Sequence, residues 1–286
     1  MTQKGHVRKP EWLKIKLGNN VTYGGTKQIL HNNCMHTICT SGKCPNQGEC
    51  WSRGTATFMI GGDICTRSCK FCNTNTGRPL PLNPQEPQLV ASSVLELGLK
   101  HAVVTSVDRD DLPDYGCAHW VATIKAIKAL NSNTTCEVLI PDFKGDLNLV
   151  QQIIDARPEV ISHNLETVRR LTPSVRSVAT YDGSLSVLKK IAESGIPAKT
   201  GIMLGLGETE EEILQTMDDA RRVGVSILTI GQYLRPARKN IPVEAYITPE
   251  KFAEYGRIGL EKGFTHVESA PLVRSSYHAE KHIRKD

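Results

Sequence analysis

The chain has 286 residues, enough for one large domain or two small ones at about 150 residues per domain. Apolar residues make up 39% and charged residues 23%, which excludes a disordered or fibrous chain. A net charge of +5 with 5% aromatics and no RNP-type or helix-turn-helix signature gives no case for nucleic acid, and no stretch approaches the roughly 18 apolar residues of a membrane span.

The N-terminus, MTQKGHVRKPEW, has no apolar h-region, so the expected address is cytoplasmic, or an organelle interior if a transit peptide has been removed. We expect a monomer. Residues 1–54 show little periodicity and read as irregular structure wrapped around something. From residue 55 a regular alternation begins. Short β-rich runs at 55–61, 101–107, 135–141, 160–165, 198–205 and 225–232 alternate with amphipathic helical stretches. The helices fit 86–98, 118–130, 147–156, 181–194, 209–223 and 249–262. The last starts at Thr248-Pro249-Glu250, a cap followed by proline, and ends before Gly263. Such βα units predict an α/β fold with a parallel sheet, either doubly wound or a partial barrel; periodicity leaves both open. The run 266–271 could be a further short strand, and the tail 272–286 is polar and basic.

Cysteine is the outlier. Nine thiols in a chain without a secretory signal are poor candidates for structural disulfides, and six crowd between Cys39 and Cys72. Cys65-Thr-Arg-Ser-Cys69-Lys-Phe-Cys72 is a CxxxCxxC just past the first strand. In βα folds the carboxyl ends of the strands hold the active site. Three thiolates there can hold three irons of a [4Fe–4S] cluster and leave the fourth open. Phe71 would shield such a group from water. The alternative is a zinc knuckle borrowing a histidine such as His36. A second triplet, Cys39, Cys44 and Cys50, is spaced Cx4Cx5C in a loop turned by Gly42, Pro45 and Gly48. It could hold a second cluster or zinc. Cys34, Cys117 and Cys136 fall outside both motifs, and Cys136 is expected as a small buried hydrophobe.

With both motifs in this order, the chain resembles the radical S-adenosylmethionine enzymes, and within them the lipoyl synthase family. The segments LHNNCMHTICTSGKCPNQGECW, ATFMIGGDICTRSCKFC, VTSVDRDDLPDYG, LIPDFKGD, HNLETV, KTGIMLGLGE, QYLRPARKN and PLVRSSYHA carry the likeness, from about residue 8 to 282. The resemblance implies a partial (β/α)6 TIM-type barrel over 55–264, with the cysteine-rich extension 1–54 and the tail 265–286 closing over its mouth. It also implies that Cys65, Cys69 and Cys72 ligate a catalytic [4Fe–4S] cluster whose open iron takes S-adenosylmethionine. Cys39, Cys44 and Cys50 would ligate a second [4Fe–4S] cluster, completed by Ser276 of the Arg274-Ser275-Ser276-Tyr277 motif. An alkoxide-type oxygen suits cluster iron less well than thiolate, so it can leave more readily. Without the resemblance these serines would read as capping the tail. The implied reaction inserts two sulfurs at C6 and C8 of an octanoyl chain on a lipoyl-carrier domain, either an E2 subunit of a dehydrogenase complex or the glycine-cleavage H protein. It consumes two S-adenosylmethionine and sulfur from the second cluster. An electron donor such as ferredoxin or flavodoxin is required.

Candidate S-adenosylmethionine contacts are Asn164 and Glu166 at the end of the fourth strand, Thr105 and Ser106 after the second, and Arg176. Glu166 could instead open a helix, and Arg176 could be a solvated surface arginine. Glu208 in Gly205-Leu206-Gly207-Glu208 is either a ligand contact or an acidic first-turn residue. The loop Arg235-Pro-Ala-Arg238-Lys239 is either a dock for an acidic carrier domain or a solvated charge run. The competing readings for the whole chain are a biotin synthase-like sulfur-inserting enzyme, which would lack the second triplet and the serine tail, and a non-catalytic iron–sulfur or zinc regulator.

Overall fold

The computed structural model describes residues 9–14 and 20–282; the remaining parts of the expected extension and tail, 1–8, 15–19 and 283–286, lie outside the described residues. In chain order the strands are β1 (Thr57–Ile60), β2 (Ile64–Cys65), β3 (Asn75–Thr76), β4 (His101–Ser106), β5 (Thr135–Leu139), β6 (Val160–Ser162), β7 (Ala198–Leu204), β8 (Ile227–Gln232) and β9 (His266–Ser269). The helices are α1 (Val21–Asn32), α2 (Ile38–Ser41), α3 (Gln47–Ser52), α4 (Glu86–Glu96), α5 (Cys117–Leu130), α6 (Leu147–Asp155), α7 (Thr172–Val175), α8 (Tyr181–Glu193), α9 (Glu210–Arg222) and α10 (Pro249–Glu261).

Seven strands make one parallel sheet in the order β1-β4-β5-β6-β7-β8-β9. The first six are each followed by a long helix, so the architecture is a partial TIM-type barrel of six βα units. The seventh strand, β9, begins two residues past the expected barrel boundary yet pairs with β8 in the same sheet. Alternation within the strands explains the layering. Phe58, Ile60, Ala102, Val104, Val138, Ile161, Ile202, Leu228 and Ile230 share one core with the helices. The intervening positions turn to the barrel interior, and many are polar: Thr105, Glu137, Ser162, Lys199 and Thr229. Toward the amino ends of the strands, Lys199 Nζ pairs with Glu137 Oε1 at 2.5 Å, and Ser162 donates to the same oxygen at 3.1 Å. Toward the carboxyl ends the interior opens into a cavity.

The extension differs from the irregular loop expected. It folds into α1, α2 and α3. The sequence hides α1 because it carries two glycines and β-branched residues, all weak helix formers. Its N-cap is Asn20, whose side chain accepts from the Tyr23 N–H at 2.9 Å. Packing supplies the rest: the Tyr23 ring lies 5.5 Å from that of Trp51, and the Thr26 hydroxyl donates to the Trp51 carbonyl. Past α1 the chain covers the free edge of β1. Thr37 bridges Phe58 antiparallel, and the Met59 N–H donates to the His36 carbonyl at 2.9 Å. An exposed strand edge is thereby closed.

Candidate active site

The CxxxCxxC loop leaves β1 through Gly61 and Gly62, both at positive φ. Gly61 is held from two sides. Its N–H donates to Glu86 Oε2 at 2.8 Å, and its carbonyl accepts from Arg109 Nη1 at 3.1 Å. Both ends of the loop are then pinned together, because β2 and β3 pair in parallel, Cys65 opposite Thr76. Further along, the Asn240 amide donates to the Lys70 and Cys72 carbonyls at 3.1 and 2.7 Å.

Arg67, two residues after the first cysteine, is 6% exposed and reaches three carboxylates. Its guanidinium contacts Asp110 at 2.8 Å, Asp142 at 2.7 Å and Asp108 at 3.3 Å. Burial opposes its charge, but the Asp110 hydrogen bond and the neighbouring Asp108 and Asp142 charges prevail and hold it firmly cationic. This network ties the cysteine loop to the ends of β4 and β5. Neither Arg67 nor Asn240 was anticipated; their partners lie on loops distant in sequence.

Cys65, Cys69 and Cys72 line one cavity at the carboxyl ends of the strands, together with Thr105, Ser106, Asn164 and Glu166. Around Cys65 Sγ, the backbone N–H groups of Arg67 and Asp108 each donate at 3.4 Å. Burial, reinforced by Asp108, pushes the Cys65 thiol up to about 12; burial likewise pushes Cys72 up. Such thiols ionise readily only when cationic metal offsets the desolvation. The donor set therefore fits a [4Fe–4S] cluster. His36, which a zinc knuckle would borrow, is exposed. Among the described residues no three His, Cys, Asp or Glu stand close enough to share one ion, whereas cubane ligands each hold a different iron. Phe71 beside the last cysteine packs with Val175, Leu206 and Tyr233.

The polar candidates come together in and beside this cavity. Thr105 spends its hydroxyl on the Leu139 carbonyl at 3.2 Å. Glu166 opens no helix: it sits at φ +69 and accepts from the Asn164 amide at 3.2 Å. Its carboxyl is pushed up by burial, against the pull of Arg176 and that amide. Asn164 Oδ1 is buried without a hydrogen-bond partner, an acceptor available to a ligand. Arg176 is half-buried, not a solvated surface residue. It lines a recess with Asn164 and Glu166, and its Nη1 donates to the Asn164 carbonyl and to Ser184. Glu208, by contrast, is occupied by the backbone N–H groups of Gly205 and Leu206, at 2.5 and 2.9 Å. It organises its own loop.

Cys39, Cys44 and Cys50 line a second cavity with Thr57, Arg274 and Ser276. The Thr57 hydroxyl donates to Ser276 Oγ at 2.8 Å, bringing the tail onto β1. Burial pushes Cys39 to about 11 and Cys50 to about 12, with neighbouring thiolates adding to both; burial also raises Cys44. Three desolvated thiols and an oxygen acceptor again fit an iron–sulfur group. Of the remaining cysteines, Cys34 is exposed, and Cys117 and Cys136 are buried. The basic loop adjoins the first cavity: Lys43 Nζ donates to the Pro236 carbonyl at 3.4 Å, while Arg235 turns back on the Arg238 carbonyl.

Residues 59–220 match the model of the Radical SAM superfamily, more than half of the chain. The fold agrees. A methylornithine synthase structure covers 94% of this chain and 90% of its own, with TM-score 0.57 at 11% identity. SuiB of Streptococcus suis, bound to S-adenosylmethionine, covers 80% and 52% with TM-score 0.60 at 12% identity. The site and fold thus define a radical S-adenosylmethionine enzyme, a class that works with a [4Fe–4S] cluster and S-adenosylmethionine. More specific are the curated relatives. Lipoyl synthase of Porphyromonas gingivalis is 71% identical over 279 residues, covering 97% of this chain and 99% of its own. Those of Parabacteroides distasonis and Treponema denticola are 68% and 64% identical over 97% and 96% of this chain, covering 99% and 95% of their own. The chain belongs to the lipoyl synthase family, and it is a sulfurtransferase that inserts sulfur by radical chemistry. No helix among the described residues is long and apolar enough to cross a membrane.

Proposed function

We propose that the chain inserts sulfur at C6 and C8 of an octanoyl chain carried on a lysine of a lipoyl-carrier domain. E2 subunits of dehydrogenase complexes and the glycine-cleavage H protein are the carriers of that chemistry, and a ferredoxin or flavodoxin supplies electrons to this cytoplasmic monomer. In this reading Cys65, Cys69 and Cys72 hold the cluster that S-adenosylmethionine completes, and Cys39, Cys44, Cys50 and Ser276 hold a second [4Fe–4S] cluster. When bound, the first group supplies a 5′-deoxyadenosyl radical and the second supplies sulfur. A radical is needed because an unactivated C–H bond offers neither an acidic proton nor an electrophilic carbon.

The observation that carries the reading is a pair of adjoining cavities, each with three thiols: the first at the carboxyl ends of the strands, the second beside Thr57 and His101 at the amino ends of β1 and β4. The division of labour follows the chain: extension 1–54 and tail 265–286 build the second site onto barrel 55–264. Around the first, Leu139, Ile202, Met203 and Val273 provide an apolar wall suited to an alkyl chain and exclude water. Asn164 offers its unpartnered oxygen, and Glu166 and Ser106 offer hydrogen bonds, to the polar ends of S-adenosylmethionine. Thr105 shapes that wall, and Arg176 stands ready for a carboxylate. Thr57 donates to Ser276 Oγ and so favours an anionic oxygen there. The basic loop 235–239 at the cavity rim suits an acidic carrier surface.

Anaerobic turnover of an octanoyl-lysine peptide tests the reading by mass. A gain of two sulfurs, as the dithiol, is the expected product, less two hydrogens once it is oxidised to the disulfide; an unchanged peptide alongside released 5′-deoxyadenosine would remove the substrate assignment. In Ser276→Ala, product formation should fall by more than about tenfold while 5′-deoxyadenosine release persists. Full product from that variant would take Ser276 out of the reaction.

A further inference from the structure

Two short stretches of chain form the wall between the cavities. Along one, Lys43 and Pro45 face the first cavity while Cys44 and Asn46 face the second. Along the other, Val273 and Ser275 face the first, Ser276 and Tyr277 the second. The Asn46 amide donates to the Leu272 carbonyl at 2.7 Å and ties the two together. Among the described residues, Arg274 lines both cavities.

Its position is built by the end of β8. The Gln232 N–H donates to the Pro271 carbonyl at 3.1 Å, so the tail crosses directly over the strand end. Gly231 permits the crossing: a Cβ there would fall inside the shell of the Val273 carbonyl and 3.3 Å from Arg274 Nη1. Arg274 Nη1 donates to that same carbonyl at 2.6 Å. The half-buried guanidinium shares the lining of the second cavity with Cys44. A cation drawn out of water is costly unless an anion meets it. The thiolates of a filled second site provide that anion.

We propose that Arg274 is a positioning residue of the second site, a fixed positive charge seated on Gly231 that sets the reduction potential of the group held there. The proposal rests on the second-cluster reading. Cluster potentials follow net charge, hydrogen bonds to sulfur and burial. A nearby cation stabilises the more negative, reduced form and raises the potential. A cluster held there would take up one electron as its sulfide bonded a carbon-centred radical, and the Arg274 charge would favour that uptake.

The test uses the full chain with Cys65, Cys69 and Cys72 replaced by alanine, so that only the second site can be loaded. Iron, sulfide and the midpoint potential are measured by analysis and by redox titration followed by electron paramagnetic resonance. We expect about four iron and four sulfide per chain. The potential should shift negative in Arg274→Gln and recover toward the parent in Arg274→Lys. Loss of the cluster in Arg274→Gln with retention in Arg274→Lys supports the same role. An unshifted potential in Arg274→Gln overturns the proposal, as does an equal shift or loss in both substitutions. A parent that binds no cluster overturns the second-cluster reading itself, a result distinct from the others.

Discussion

His163 shows how one buried residue fixes its neighbours. Its Nδ1–H donates to the Ile140 carbonyl at 2.9 Å, so Nε2 accepts from the Ser184 hydroxyl, also at 2.9 Å. Ser184 Oγ in turn accepts from Arg176 Nη1 at 2.8 Å, which aims the guanidinium at the cavity recess. Burial, with Arg176 next, pushes the His163 pKa down from 6.5 to about 4. Between those values the unfolded chain binds a proton that the folded chain does not. This contribution is therefore complete above about pH 6.5 and is lost as pH falls toward 4, by up to about 3 kcal/mol. Urea unfolding at about pH 7.5 and about pH 5 should show that loss, and His163→Gln should flatten it. Arg67 makes a second case. Arg67→Met strands Asp108, Asp110 and Asp142 around an apolar side chain and should cost about 3–5 kcal/mol in the same assay. An unchanged unfolding midpoint would show the carboxylates relaxing into water. The cysteines of both sites were legible because ligand spacing is local. Arg67, Asn240 and Arg274 were not, because each is defined by partners from loops elsewhere in the chain.

At the level of elements, the barrel was legible and the extension was not. Period-two runs alternating with period-3.6 runs located all six strands and six long helices, because burial on one face imposes its period on the sequence. The helices were located more closely than the strands, which end up to three residues short of the runs. α9 has an added local signal. Thr209 and Glu212 form a reciprocal capping box, the Thr209 hydroxyl accepting at 3.3 Å and the Glu212 carboxylate at 2.9 Å. Thr209→Ala should cost about 1 kcal/mol and lower the thermal midpoint accordingly. α1, by contrast, exists because Trp51 and the barrel give it a surface to rest on. Propensity alone carries no trace of that surface. The same reason hides β2 and β3, whose two-residue pairing is set by the cysteine loop it closes.

For the whole molecule, the open seam between β1 and β9 is where the extension around Thr37 and the tail around Ser276 come together on β1. The extension lies along β1 and the tail crosses the end of β8 to reach Thr57. Loaded protein should carry about eight iron and eight sulfide per chain, and Cys44→Ala should lower both by about half. Iron and sulfide unchanged in Cys44→Ala would remove the second-cluster assignment.

The bond from Thr57 to Ser276 spans 219 positions. Closing a loop of that length costs about 5 kcal/mol of chain entropy, before any contact rewards it. The chamber of Cys39, Cys44, Cys50 and Ser276 is thus a late product of folding, assembled only after every βα unit between its two halves has docked. It acts as a certificate of completion: a nascent chain offers the early thiols but not the closing oxygen. Metal delivered ahead of schedule meets half a socket, and only a finished barrel presents the whole one.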